Sequence, residues 1–132
     1  MNATLSSHDL IMASLAAVRA RQEARTAARG LIEVRVEKNF STAGPNYIRN
    51  SDIIPYIEDG VLVVFEGRSG RHISVRSDVY VIAPDVIAVE VVGWHKFAAH
   101  GPAGGTYYFV RDGDGWTRRT ANHKRVREVL GK

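Results

Sequence analysis

The chain has 132 residues, a formal net charge of +4 and no cysteine. Its length suits one domain, and its 45% apolar and 24% charged residues are typical of a globular chain rather than a disordered one. The lack of cysteine excludes disulfides, thiolate metal sites, iron–sulfur clusters and cysteine nucleophiles. We therefore expect a single domain over 1–132, with an N-terminal helix (1–30), a sheet (31–120) and a basic C-terminal helix (121–132).

The first predicted element is a long helix from about Ser7 to Arg29. Ser6 and Asp9 have the spacing of a capping box, and no Gly or Pro follows until Gly30. In the first half of this helix, apolar side chains surround the axis almost completely, which requires burial on more than one side. A small sheet covers only one side, so the second cover is either another copy of the chain or the middle loop. The residues predicted to form an oligomer interface are Leu10, Ile11, Leu15 and Val18.

From Leu31 onward the apolar residues recur at every second position, which is the period of a half-exposed strand. Residues 39–52 read as a long loop, and Pro55 places the following short run at a sheet edge. The later β-branched runs are separated by turn sequences at residues 67–70, 77–78, 84–85 and 112–115. We predict an α+β fold with a long N-terminal helix, a mostly antiparallel, barrel-like sheet of about seven short strands, and a short C-terminal helix.

The C-terminal segment concentrates the positive charge. Residues 116–132 carry six basic side chains and one acidic side chain, a net charge of +5, and a short helix is predicted from Asn122 to Leu130. The planar guanidinium of Arg suits phosphate oxygens, and an indole stacks on bases. A solvated amphipathic helix explains the same charges without a ligand. The residues predicted to contact nucleic acid are Arg118, Arg119, Lys124, Arg125, Arg127 and Trp116.

No pattern in the sequence indicates a catalytic or metal site. Neither a G-x-S-x-G elbow nor a Walker A run is present. His95 and His100 are spaced too poorly to share one face of a strand or helix, and Asp112 and Asp114 lack the further ligands of a calcium loop. We therefore predict no catalytic residues, no metal and no cofactor, and we favour a non-enzymatic protein without an identified small-molecule substrate.

Two functions follow from these features. The leading hypothesis is a self-associating binding protein that contacts nucleic acid through its basic C-terminal segment. The alternative is a structural or assembly subunit of a larger complex, which uses the N-terminal helix and the Gly-rich loop 101–105 for protein–protein contacts. The apolar run 10–18 is too short to span a membrane, and no Lys or Arg precedes it, so we expect a cytoplasmic protein without a membrane partner.

Overall fold

The computed structural model of the chain describes residues 6–42, 48–70, 72–95 and 103–132. The two helices that these residues form are α1 (Ser7–Arg29) and α2 (Lys124–Leu130). Their strands are β1 (Glu33–Glu37), β2 (Tyr56–Glu58), β3 (Val61–Phe65), β4 (Gly67–Ser69), β5 (Ile73–Ala83), β6 (Val86–His95), β7 (Ala103–Asp112) and β8 (Gly115–Arg119). This architecture confirms the predicted α+β class.

Helix α1 has the predicted bounds because its end signals are local. The hydroxyl of Ser6 accepts a hydrogen bond from the backbone N–H of Asp9 at 3.1 Å, and the Asp9 carboxylate accepts one from the Ser6 N–H at 3.3 Å. These two bonds satisfy donors that an uncapped helix would leave free. At the other end, the N–H of Gly30 donates to the carbonyl of Ala27 at 3.2 Å and the N–H of Leu31 donates to that of Ala28 at 3.0 Å, which closes the last turn.

The strands form two sheets that enclose the main core. The first sheet has the order β1-β3-β2, and the second has the order β4-β5-β6-β7-β8. Strand β1 runs parallel to β3, whereas the other pairs are antiparallel. Only Glu66 separates β3 from β4, so the chain passes directly from one sheet into the other. Buried side chains of both sheets meet in this core, among them Ile53, Leu62, Ile87, Val89 and Phe109.

The expectations of a barrel-like sheet and of about seven strands need correction. The described residues form eight strands, and no sheet closes into a barrel. Strand β2 lies beside β8, but the two are not hydrogen-bonded to each other. Strand β2 has three residues and directly follows Pro55, which has no N–H, so it offers few backbone groups to a second neighbour. The two sheets are therefore not joined by hydrogen bonds between their edge strands β2 and β8.

The turn predicted at residues 77–78 is also wrong, because β5 continues through both positions. Ser77 and Asp78 are buried. The Ser77 hydroxyl donates a 2.7 Å hydrogen bond to the carbonyl of Phe65, and the Asp78 carboxylate lies 3.3 Å from the Nε of Arg76. The Asp78 carboxylate also lies 3.9 Å from the Nε of Arg21 on α1, so contacts from β3 and α1 accompany these two turn-forming residues inside a strand.

Helix α2 packs on the five-stranded sheet through a second, smaller core. Val126 is fully buried and contacts Val86 and Val110. The helix ends at Gly131, which takes the left-handed conformation with φ of 75°, as the sequence predicts. At its start the cap is His123 rather than the predicted Asn122. One side of the sheet is therefore covered by a short basic helix.

Candidate interaction surfaces

The N-terminal half of α1 extends away from the sheets. All the residues from position 7 to position 20 are exposed, which corresponds to about 21 Å of helix. Four of its large apolar side chains are 40–59% exposed, as on a helix without tertiary neighbours. Together with Ser14 they line a single shallow groove, and we call this set the apolar stripe: Leu10, Ile11, Ser14, Leu15 and Val18.

The C-terminal third of α1 fixes this helix to the body of the protein. The guanidinium of Arg25 contacts the carboxylate of Glu66 at 3.2 and 3.3 Å and donates to the carbonyl of Ser77 at 3.0 Å. Ala28 is fully buried beside these contacts. The apolar stripe lies on the adjoining side of the same helix, because Val18 lines one groove with the stripe and another with Arg25. The stripe is therefore a continuation of the packed side of the helix.

The middle loop does not cover the apolar stripe in the part of it that the structure describes. Phe40 and Ile48 pack into or against the main core instead. Residues 43–47 lie outside the described residues, as do His100 and positions 101–102 of the Gly-rich loop 101–105. At the end of that loop, the N–H of Gly104 donates a 2.8 Å hydrogen bond to the side chain of Asn50.

The predicted nucleic-acid residues fall on two sides of the five-stranded sheet. Arg118 and Arg119 are neighbours on β8, so they point to opposite faces. Arg118 is paired with Phe109, which belongs to the main core, whereas Arg119 is paired with Tyr108, which packs against the core beneath α2. Trp116 lies on the Arg118 side, half-buried against the main core. The sequence analysis assigned these residues to one surface, but the alternation of side chains along β8 places them on two.

The helix α2 contributes three of the predicted cations, and one of them is already paired. Arg125 binds Asp85 with two hydrogen bonds of 2.8 and 2.9 Å, and it also lies 3.4 Å from Glu128. Lys124 and Arg127 are exposed, and neither has an ion-pair partner among the described residues. Arg119 is exposed and lies 4.0 Å from Asp112. The α2 side therefore presents Arg119, Lys124 and Arg127 to solvent, while Arg125 ties the helix to the β5–β6 turn.

This tie makes a prediction about stability and pH. The hydrogen bond from Arg125 holds the pKa of Asp85 below its ordinary value of 3.8. Because the folded pKa is the lower one, the stabilisation is complete above the ordinary pKa and is lost as the pH falls through the lowered pKa. We expect Asp85→Asn to unfold at a lower temperature than the wild type at pH 7, and this difference to shrink as the pH falls below the ordinary pKa of Asp85. Asp114→Asn is the control, because Asp114 is exposed at the β7–β8 turn. A difference that persists at low pH would contradict this account.

A cleft lies between the edge strands β2 and β8. One cavity of about 340 Å³ is lined on one wall by Pro55, Tyr56 and Ile57, and on the other by Phe109, Trp116, Thr117 and Arg118. A neighbouring cavity of about 390 Å³ is lined by Ile54, Thr106, Tyr107, Arg118, Arg119, Thr120 and Ala121. We call the two cavities together the interstrand cleft. Arg118 lines both cavities, and its guanidinium carbon is 5.9 Å from the centre of the Tyr107 ring.

The sequence analysis missed the wall of this cleft that residues 54–57 form. Pro55 identified the segment as an edge, but no local pattern indicates that this segment lies beside β8 of the other sheet. Trp116 and Arg118 were recognised, and their spacing of two places them on the same face of β8.

The candidate acids and histidines give no catalytic or metal centre in the described part of the chain. Glu66 is bound by Arg25, and Glu58 lies 4.0 Å from Arg35. The rings of His72 and His95 are 5.6 Å apart, but the described residues bring no three potential ligands together.

No helix among the described residues has the length and hydropathy of a membrane span. Comparison of the chain with models of protein families, with curated proteins and with solved structures finds no match.

Proposed function

We propose that this chain is a non-enzymatic binding protein that self-associates through the apolar stripe of α1, and that a second copy of the chain covers the stripe. One observation carries the proposal: the largest apolar side chains of α1 are half-exposed along a helix whose base is firmly anchored. Contiguous apolar surface of this kind is typical of an interface.

The size of the stripe suits a pair of chains. Half-exposed side chains of these types present on the order of 450 Å² of apolar surface per chain, which is within the range of the largest patches on monomers. Two copies together bury roughly 900 Å² through the stripe alone, which is below the roughly 1,200 Å² at which stable specific interfaces begin. A stable dimer therefore also needs contacts from residues that flank the stripe, such as Met12, which is 53% exposed.

The arrangement of the stripe is also self-complementary. Ser14 is small and lies between larger residues towards both ends of the stripe. If two helices cross antiparallel at Ser14, a two-fold axis places Leu10 of each chain beside Val18 of the other. The small residue at the crossing point allows the helix axes to approach closely.

Sedimentation of the wild-type protein over a range of concentrations tests this proposal. We expect at least twice the mass of a single chain, with little dependence on salt, because the contact is apolar rather than ionic. A single-chain mass at every concentration would overturn the proposal.

Nucleic-acid binding is a second candidate function, supported by exposed cations. Arg119, Lys124 and Arg127 share the α2 side of the sheet, and Arg118 is exposed on the other side. The guanidinium of Arg125 is already held by Asp85, which reduces the predicted set of cations to four.

This candidate predicts a moderate dependence of affinity on salt. If the three cations on the α2 side contact phosphates of a duplex, the slope of log K against log salt is about −2.7, and about −2.1 on a single strand. The double variant Lys124→Gln/Arg127→Gln is expected to flatten the slope by about 1.4 to 1.8. The double variant Lys38→Gln/Arg68→Gln, at exposed cations away from the C-terminal segment, is the control with the same charge change. If the protein binds neither DNA nor RNA at low salt, this candidate is wrong.

A further inference from the structure

We infer that the interstrand cleft binds single-stranded nucleic acid, with a phosphate at Arg118 and a base in each adjoining cavity. The inference rests on the nucleic-acid candidate above. It specifies the kind of strand, and it places the contact in the opening between β2 and β8 rather than on α2.

The charge of the cleft favours an anion. The residues that line the two cavities include no Asp or Glu, and Arg118 lines both cavities. Arg118 is exposed and has no ion-pair partner among the described residues. A guanidinium that lies near an aromatic ring and lacks a carboxylate partner is well suited to a phosphate.

The aromatic side chains provide surfaces for bases. Tyr56 is 39% exposed and forms part of one wall, and Trp116 is half-buried on the opposite wall. Tyr107 lines the second cavity, where Thr106 and Thr120 add hydroxyl groups. Bases stack on aromatic rings with little regard to sequence, and hydroxyls supply hydrogen bonds to base edges or phosphates.

The order of these features along the cleft specifies a single strand. A cavity with aromatic walls comes first, then the guanidinium of Arg118, and then a second cavity with an aromatic wall. A single strand has the same alternation of base, phosphate and base. In a duplex the bases are paired and stacked inside the helix, so they cannot enter two separate cavities unless they are unpaired. The cleft therefore selects unpaired nucleotides.

Fluorescence of Trp116 provides a direct test of occupancy. Trp94→Phe removes the other tryptophan, which is 42% exposed on β6. In this variant we expect a deoxythymidine oligomer of about twelve nucleotides to quench the remaining emission, with a slope of log K against log salt of about −0.7 to −1.4, which corresponds to one or two phosphate contacts in the cleft. A duplex of the same length is expected to quench it at least about tenfold less effectively. Thymidine monophosphate is the control for a free nucleotide, and equal affinity for it would overturn the inference of a strand.

Two substitutions distinguish the cleft from the α2 surface. In the Trp94→Phe background, Arg118→Gln is expected to lower the affinity for the oligomer at least fivefold and to flatten the salt slope by about 0.7. Tyr56→Ala is expected to lower the affinity by about five- to a hundredfold through lost stacking. Lys124→Gln is the matched control and is expected to change the affinity less than Arg118→Gln does.

The outcomes separate the inference from the function on which it rests. If the oligomer binds but Arg118→Gln and Tyr56→Ala leave its affinity unchanged, the cleft is not the site and the nucleic-acid candidate survives. If a duplex binds more tightly than the oligomer, the inference is also wrong. If no nucleic acid binds, both the inference and the candidate function are wrong. Circular dichroism of each variant confirms that it remains folded.

Discussion

Leu15→Asp is expected to convert the self-associated protein into a folded monomer. Leu15 is 54% exposed in the single chain, so a carboxylate at this position remains hydrated and costs the monomer little. At an interface with a second copy, each chain would bury one carboxylate near the symmetry axis without a partner, which costs several kcal/mol. We expect the dissociation constant to rise at least a hundredfold, as measured by light scattering during size-exclusion chromatography. Val18→Asp is expected to act in the same direction.

Ala16→Asp is the matched control for this experiment. Ala16 is exposed on the side of α1 opposite the apolar stripe, so the same substitution has the same intrinsic cost to the helix but touches no proposed contact. We expect Ala16→Asp to keep the mass of the wild type. Dissociation of both variants would point to damage to the helix, and association of both would show that the stripe is not the interface.

The sequence predicted α1 well because a helix depends on local signals. The capping box at Ser6 and Asp9 and the glycine that follows Arg29 define both ends from neighbouring residues. The apolar pattern predicted that the sheet covers one side of the first half of the helix, but residues 7–20 are exposed on every side in the single chain. A second copy that covers this half lies outside the chain, so no local pattern in one sequence encodes the contact.

The errors arose where contacts come from distant residues. The Ser77-Asp78 pair resembles a turn, but inside β5 the Ser77 hydroxyl bonds to the carbonyl of Phe65 and the Asp78 carboxylate lies 3.9 Å from Arg21 on α1. Arg125 was assigned to a phosphate, but a carboxylate 40 residues away holds it. The number of strands was nearly right, whereas closure of the sheet depends on how β2 approaches β8. That approach is decided by the packing of one sheet on the other, and a local pattern does not encode it.

The candidate sites show the same division between local and distant information. Alternation along β8 is enough to place Trp116 and Arg118 on one face and Arg119 on the other. The opposing wall with Tyr56 comes from another sheet, so the cleft is visible only in three dimensions. The sequence identified the basic side chains that can contact a phosphate. The fold divides them between the interstrand cleft and the α2 side, and separate variants test the two surfaces.

Gly104→Ala is expected to destabilise the fold more than any other exchange of glycine for alanine in the described residues. Gly104 has φ of +142°, and a Cβ at this position would lie 2.1 Å from the carbonyl oxygen of Val91 on β6. The obstacle is backbone in a paired strand, so it cannot move aside as a flexible side chain would. We expect a loss of about 3 kcal/mol or more in the free energy of unfolding. Urea unfolding, measured in the Leu15→Asp background to exclude the effect of dissociation, checks this value.

Gly105→Ala is the control that isolates the backbone effect. Gly105 is the next residue on the same strand, and a Cβ there would meet only the Tyr107 side chain at 3.7 Å, an ordinary van der Waals contact. Replacing glycine where no strain results also reduces the entropy of the unfolded chain, so we expect a change within about 1 kcal/mol, of either sign. Equal urea midpoints for the two variants would contradict the close approach of β7 to β6. Since β7 continues from Gly104 to Thr106 and Tyr107, this close approach also helps to fix one wall of the interstrand cleft.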